Sequence, residues 1–194
     1  MKKLLFVAII ASLTLVSCSS TAPSIGAKAG VNFSDITGDD VDSFNGLTSF
    51  HFGAVVEIPV SDGFSFQPEL LYSAQGSDYE EESFSGSVKA DYLNVPLMAK
   101  FYVGEGFSVE AGPQVGLLMS AKDEYDGGDD DIKDFLKSTD FGVNIGLGYK
   151  LESGLNFGAR YNLGFSNVND SDDLDGGSEY KNGVIQVSVG YFFN

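Results

Sequence analysis

A single cysteine, a single histidine and only 11 lysines and arginines among 194 residues leave this chain short of several kinds of chemistry. With one thiol, Cys18, no intramolecular disulfide can form. The 28 aspartates and glutamates give a formal net charge of −17 at pH 7. Such a balance excludes nucleic acid as a partner and gives no attraction to anionic lipid surfaces. Beyond the first 16 residues no segment offers about 20 consecutive apolar residues, which excludes a helical membrane protein.

Met1, Lys2 and Lys3 are followed by an apolar run from Leu4 to Val16, interrupted only by Ser12 and Thr14. A basic start and about 13 apolar residues match a secretory signal peptide and are too short for a membrane helix. The leader ends Leu15-Val16-Ser17-Cys18, which resembles the lipobox of bacterial lipoproteins, so cleavage before Cys18 and lipidation of its thiol are expected. In the other reading Cys18 is incidental and an ordinary leader ends at Ser20-Thr21-Ala22. Residues 1–22 are assigned to the leader and 23–194 to one domain, a length that suits a single core.

The chain is rich in alternation. From Phe141 to Leu151 the odd positions are bulky and apolar, while the even ones are Gly142, Asn144, Gly146, Gly148 and Lys150. Successive strand side chains face opposite sides of a sheet, so this segment is a strand with two unlike faces. The same period marks strands at 24–34, 49–60, 64–76, 88–103, 107–121, 139–151, 155–167 and 184–193. Their connections alternate in length. Ser61-Asp62-Gly63, Gly104-Glu105-Gly106 and Glu152-Ser153-Gly154 are tight turns. The segments around Asp35–Asp42, Asp78–Glu82, Lys122–Lys137 and Asp170–Lys181 are long and acidic. An even strand count with short turns at one rim and long loops at the other predicts an all-β, eight-stranded antiparallel up-and-down transmembrane β-barrel, with both termini on the periplasmic side.

A soluble lipocalin-like barrel has the same period with its apolar face inward. Three features favour the membrane. The polar face is full of glycine and small residues, which suits a crowded interior. It carries few charges for a face in water. The chain finishes Gly190-Tyr191-Phe192-Phe193-Asn194, an aromatic ending of the kind outer-membrane assembly machinery reads.

Several short stretches resemble the small outer-membrane β-barrel domain family that includes PorT-like proteins: Lys28–Ser34 (KAGVNFS), Gln67–Tyr72 (QPELLY), Tyr92–Leu97 (YLNVPL), Ala111–Pro113, Ala159–Tyr161 and Gly190–Phe193. They span residues 24–194, and their order and spacing carry the likeness. The resemblance implies an outer-membrane barrel, with some members serving secretion machinery. The lipobox-like leader departs from the plain leader it implies.

The inward charges are Lys28, Glu57, Glu69, Lys100, Glu110, Lys150 and Arg160, all in the half nearer the short turns. An eight-stranded interior is just wide enough for side chains to fill, so these groups are expected to pair as a polar core. The expected pairing follows neighbouring strands, with Glu110 between Lys100 and Lys150, and Glu57 and Glu69 between Lys28 and Lys100. His51 is read as a polar filler near the outer rim, because no nucleophile motif accompanies it. No catalytic residue, metal site or cofactor is assigned. Asp129, Asp130 and Asp131 in one loop and Asp170, Asp172, Asp173 and Asp175 in another are weak candidates for loose divalent-cation binding that would bridge to lipopolysaccharide. Repulsion among the acids is expected to keep the loops extended. Loop aromatics Tyr79, Phe84, Tyr125, Phe135 and Tyr180 are candidate anchors for an envelope protein partner.

The sequence therefore predicts a non-enzymatic outer-membrane protein of a Gram-negative cell with a structural or interaction role: envelope integrity, surface binding, or service to a secretion or assembly complex. The alternatives are a small outer-membrane enzyme or narrow ion conduit, and a soluble lipocalin-like binder.

Overall fold

In the computed structural model, which describes residues 22–38, 44–81, 84–168 and 180–193, nearly every described residue belongs to one antiparallel sheet. Its strands are β1 (Ser24–Gly38), β2 (Phe44–Ser61), β3 (Phe64–Glu81), β4 (Phe84–Tyr102), β5 (Phe107–Tyr125), β6 (Gly128–Asp131), β7 (Thr139–Lys150), β8 (Leu155–Gly164) and β9 (Tyr180–Phe193). Eight of them form a ring in chain order. β4 pairs with β5 from Gly86 opposite Tyr125 to Tyr102 opposite Ser108, and β1 meets β9 from Ile25 opposite Phe193 to Gly38 opposite Tyr180. The four-residue β6 stands outside the ring and pairs with the end of β5.

Short turns join β2 to β3, β4 to β5 and β7 to β8 at one rim. Two of them need a left-handed glycine, Gly106 at φ 76° and Gly154 at φ 89°, a conformation that costs a side-chain-bearing residue strain. The start of β1, Ser24, and the end of β9, Phe193, lie at this rim, because each pairs with residues beside it.

The face assignment decides the solvent. Ile145 is 62% exposed and Val103 66%, whereas Asn32 and Asn144 are 0% exposed. A soluble barrel has the reverse arrangement, so the outer face is built for lipid and the lumen is polar. Exposed aromatics gather at two heights. Phe66, Phe101, Phe107, Tyr149, Phe157, Tyr191 and Phe193 lie beside the short-turn rim, while Phe33, Phe50, Phe52, Phe141 and Phe165 lie further along the strands. The separation is about eight positions, roughly 21 Å at about 3.4 Å per residue and a tilt of about 40°. That matches an apolar band flanked by two aromatic girdles.

Most strands run further from the short-turn rim than their alternation suggests, whereas β8, expected to reach 167, ends at Gly164. β2 starts at 44 rather than 49, β4 at 84 rather than 88, and β9 at 180 rather than 184, while β3 continues to 81 and β5 to 125. Above the apolar band the faces are no longer lipid and lumen, so the period fades although the hydrogen-bonded ladder continues. The segment around Asp78–Glu82 is thus mostly strand. Lys122–Lys137 comprises the end of β5, the β5–β6 hairpin and a 3₁₀ turn at Lys133–Phe135.

Candidate functional site: the filled lumen and the outer sheet

From the short-turn rim upward, the lumen is stacked in layers. At the bottom Phe192 points inward and Lys150 lies over its ring, 4.4 Å from the centroid. Lys150 donates to Glu57 at 3.0 Å, and the Tyr102 hydroxyl donates to the other Glu57 oxygen at 2.5 Å. The next layer centres on Arg160, whose two terminal nitrogens donate to the two oxygens of Glu69 at 2.9 Å each. The fork geometry makes this a bidentate, charge-assisted pair. Arg160 also reaches Glu110 at 3.2 Å, Lys28 donates to Glu69 at 3.1 Å, and Lys100 bridges Glu110 at 3.1 Å and Gln67 at 3.2 Å. Apart from Lys150, which meets solvent at the rim, these charges are buried.

All seven inward charges predicted from the sequence meet in this network, but the expected pairing by neighbouring strands is corrected. Glu110 binds Lys100 and Arg160 rather than Lys150, and Lys150 crosses the lumen to Glu57. Glu69 is held by Lys28 and Arg160, and Lys100 reaches it only through Gln67. The ring is narrow enough for long side chains to span. In addition, Gly146 and Gly148 give β7 no side chain beside Glu110; a Cβ at 148 would lie 2.3 Å from Glu110 Oε1.

Above the ions sits a carboxamide layer. Asn144 donates to Gln114 at 3.1 Å, and Asn162 donates to Asn144 at 3.2 Å. Asn32 donates to Ser73 at 3.0 Å, and its oxygen accepts from Gln186 at 2.9 Å and from His51 Nδ1 at 2.7 Å. Apolar Val55, Leu71 and Met98 fill gaps on the lumen side, a contribution the alternation did not disclose because polar residues flank them at the same parity. At the top Tyr92 crosses the lumen beside Ala90, Leu118 and Ala121, and Ile132 and Leu136 of the long segment pack onto this cluster. An apolar plug therefore sits inside a loop that reads as purely acidic.

Beyond the apolar band, β2 to β6 continue as a sheet. Its side chains are paired, contrary to the expectation of mutual repulsion. The Tyr79 hydroxyl donates to Asp123 at 2.8 Å, Ser87 to Asp78 at 2.5 Å, Lys122 to Asp129 at 2.5 Å and Tyr125 to Asp130 at 3.0 Å, and Lys89 pairs with Glu124. Hydrogen bonding from Lys122 holds the Asp129 carboxyl below its ordinary value, and the bond to Asp130 pushes the Tyr125 phenol up. Asp129, Asp130 and Asp131 are consecutive on a strand, so their side chains alternate between its faces, and the Asp131 carboxylate caps the Lys133 N–H at 3.0 Å. They do not converge on one ion. Asp170, Asp172, Asp173, Asp175 and Cys18 lie outside the described residues.

The family model described as an outer membrane protein beta-barrel domain matches residues 21–170. The chain belongs to that family. Membership places it in the outer membrane of a Gram-negative cell. No curated protein sequence matches the chain. Among solved structures, Neisserial surface protein A aligns with a TM-score of 0.57 at 13% identity, covering 89% of this chain and 100% of that one. Ail, the attachment invasion locus protein of Yersinia pestis, aligns with a TM-score of 0.54 at 16% identity and the same coverages. These likenesses are to the fold. The family match runs from β1 to β8 of this outer-membrane barrel, while the ion network and the outer sheet are read from the chain's own residues.

Proposed function

We propose that the protein is a closed, non-conducting and non-enzymatic barrel that works through the sheet and loops on its outer side, as a surface-binding or envelope-supporting element. The observation that carries this reading is the filled lumen: ions, carboxamides and the Tyr92 plug occupy successive levels, leaving the outer sheet as the accessible polar surface. In this reading the short turns and termini are periplasmic, as short turns are in such barrels. His51 serves structure, since its Nδ1–H is committed to Asn32.

Charge selects the kind of partner. Asp78, Glu80, Glu124 and Asp126 line a cleft of about 380 Å³ on the outer sheet with Tyr79 and Tyr125. Ail has been solved with the heparin analogue sucrose octasulfate, but the acidic sheet here repels polyanions and favours cationic partners. Service beside a secretion or assembly complex, implied by the PorT-like resemblance, would use the same surface. Planar-bilayer recording of the purified full chain tests the closed lumen, and steady unitary currents would defeat it. Binding of a lysine-rich peptide and of a heparin analogue to the barrel in vesicles tests the surface. Preference for the peptide, weakening with salt, is expected, and preference for the polyanion overturns the reading.

A further inference from the structure

The lipid face dips along the first strand. β1 turns Ala27 and Ala29 outward, and among the described residues no other strand carries two successive alanines on its outer face. Their cross-strand neighbours are large. Ala29 stands between Phe52 of β2 and Val189 of β9, and Ala27 stands beside Tyr191, with Leu155 of β8 beyond it. The Phe52 ring is drawn toward β3, where it packs on Tyr72 at 5.2 Å, and the Tyr191 ring meets Phe193 edge-on at 5.7 Å. Held in this way, the two rings flank the alanines without covering them. The result is an apolar groove of about 550 Å³ between the two aromatic girdles. Its walls lose dispersion contacts unless a hydrocarbon chain lies in it.

The groove follows the strand that leads out of the barrel toward Cys18. β1 begins at Ser24 on the short-turn rim, three residues below Ala27, or about 10 Å at about 3.4 Å per residue. The expected cleavage before Cys18 makes that residue the first of the mature chain, with its acyl chains in the leaflet on the short-turn side. Six residues separate Cys18 from Ser24 and span at most about 20 Å. An acyl chain on Cys18 is therefore tethered within reach of the groove and enters it from its lower end, beside Ile25. Tethering at a matching span makes its entry an intramolecular event, an advantage that free membrane lipid lacks.

We propose that the groove over Ala27 and Ala29 seats an acyl chain of the protein's own N-terminal lipid, carried by Cys18. The chain lies along the seam where the first and last strands of the ring meet. The proposal rests on the lipobox reading of the leader and adds to it a place for the lipid.

The test is photo-crosslinking of the full chain in intact outer membranes. A photoreactive benzoylphenylalanine replaces Phe52 in the groove wall or, as a control, Val109, which faces lipid on β5 across the ring. Mass spectrometry of the digested chain shows whether Cys18 is acylated and what each probe has captured. The expected result is an acylated Cys18 peptide joined through its lipid to the peptide carrying position 52, with only phospholipid captured at position 109. Ala29→Leu fills the groove from the lipid side and leaves the lumen untouched. It should abolish the capture of the Cys18 lipid at position 52 and leave phospholipid there. An acylated Cys18 with phospholipid alone at position 52 overturns the groove assignment while the lipobox reading stands. Equal capture of the Cys18 lipid at positions 52 and 109, or capture at 52 that survives Ala29→Leu, does the same. An unmodified N-terminus downstream of Cys18 overturns both.

Discussion

At the scale of single residues, the lumen network is unequal in its parts. Glu69 holds Lys28 and takes both arms of the Arg160 fork, whereas Glu110 holds Lys100 and receives one arm of Arg160. Glu69→Ala strands Lys28 and leaves Arg160 only its single contact with Glu110, and breaking a buried pair in this way typically costs about 3–5 kcal/mol. Glu110→Ala leaves Arg160 still forked onto Glu69 and strands Lys100. The expected order of destabilisation is therefore Glu69→Ala, then Glu110→Ala, then Glu105→Ala in an exposed turn, which should be close to neutral. Urea unfolding from vesicles or detergent gives the order. A loss for Glu105→Ala as large as for Glu69→Ala would refute it. The Lys122–Asp129 pair offers a pH reading outside the membrane. Asp129 is held below its ordinary value of 3.8, so its support of the β5–β6 hairpin is present above about pH 4 and fades as pH falls through the depressed value. Carboxyl NMR of Asp129 should show this depression, and Lys122→Gln should relieve it.

At the scale of strands, the two faces should fail in different ways. Ile145 sits near mid-band on β7 and is exposed to lipid, so Ile145→Arg should cost about 2–4 kcal/mol. Gly146→Leu meets a packed interior instead, since a Cβ there would lie 2.6 Å from both the Ala159 oxygen and the Arg160 Cβ. Folding yield into vesicles measures both variants, and a harmless Ile145→Arg would mean that the barrel is inside out. The period of two made the ring, the lipid face and all seven inward charges legible. It reports which face a residue takes but not which residue answers it across a narrow lumen, so Arg160–Glu69 and Lys150–Glu57 were out of reach. Asp140 and Asn94 were legible as lumen-facing, since Asp140 shares parity with Gly142 and Asn144, and Asn94 with Tyr92. Ile132 and Leu136 lie in a segment without period, where only packing reveals that they plug the mouth.

For the whole molecule, the ion pairs that fill the lumen join strands that are distant along the chain. Lys28 and Glu69 are 41 residues apart, Arg160 and Glu69 91, and Lys150 and Glu57 93. A sheet that has not yet rolled up holds Arg160 and Lys150 without their acids, and such charges are costly in hydrocarbon. Partly zipped barrels therefore lie high in free energy, and closure and charge neutralisation occur as one event. Folding should be cooperative and slow, as expected for contacts of long sequence separation. A chain cut in the turn at Gly104–Gly106 separates Glu69 from Arg160, Glu57 from Lys150 and Lys100 from Glu110. Neither half should enter vesicles alone, and the two halves added together should. The lumen charges thus act as a checkpoint on assembly, under which a barrel becomes compatible with the membrane only once its first and last strands have met.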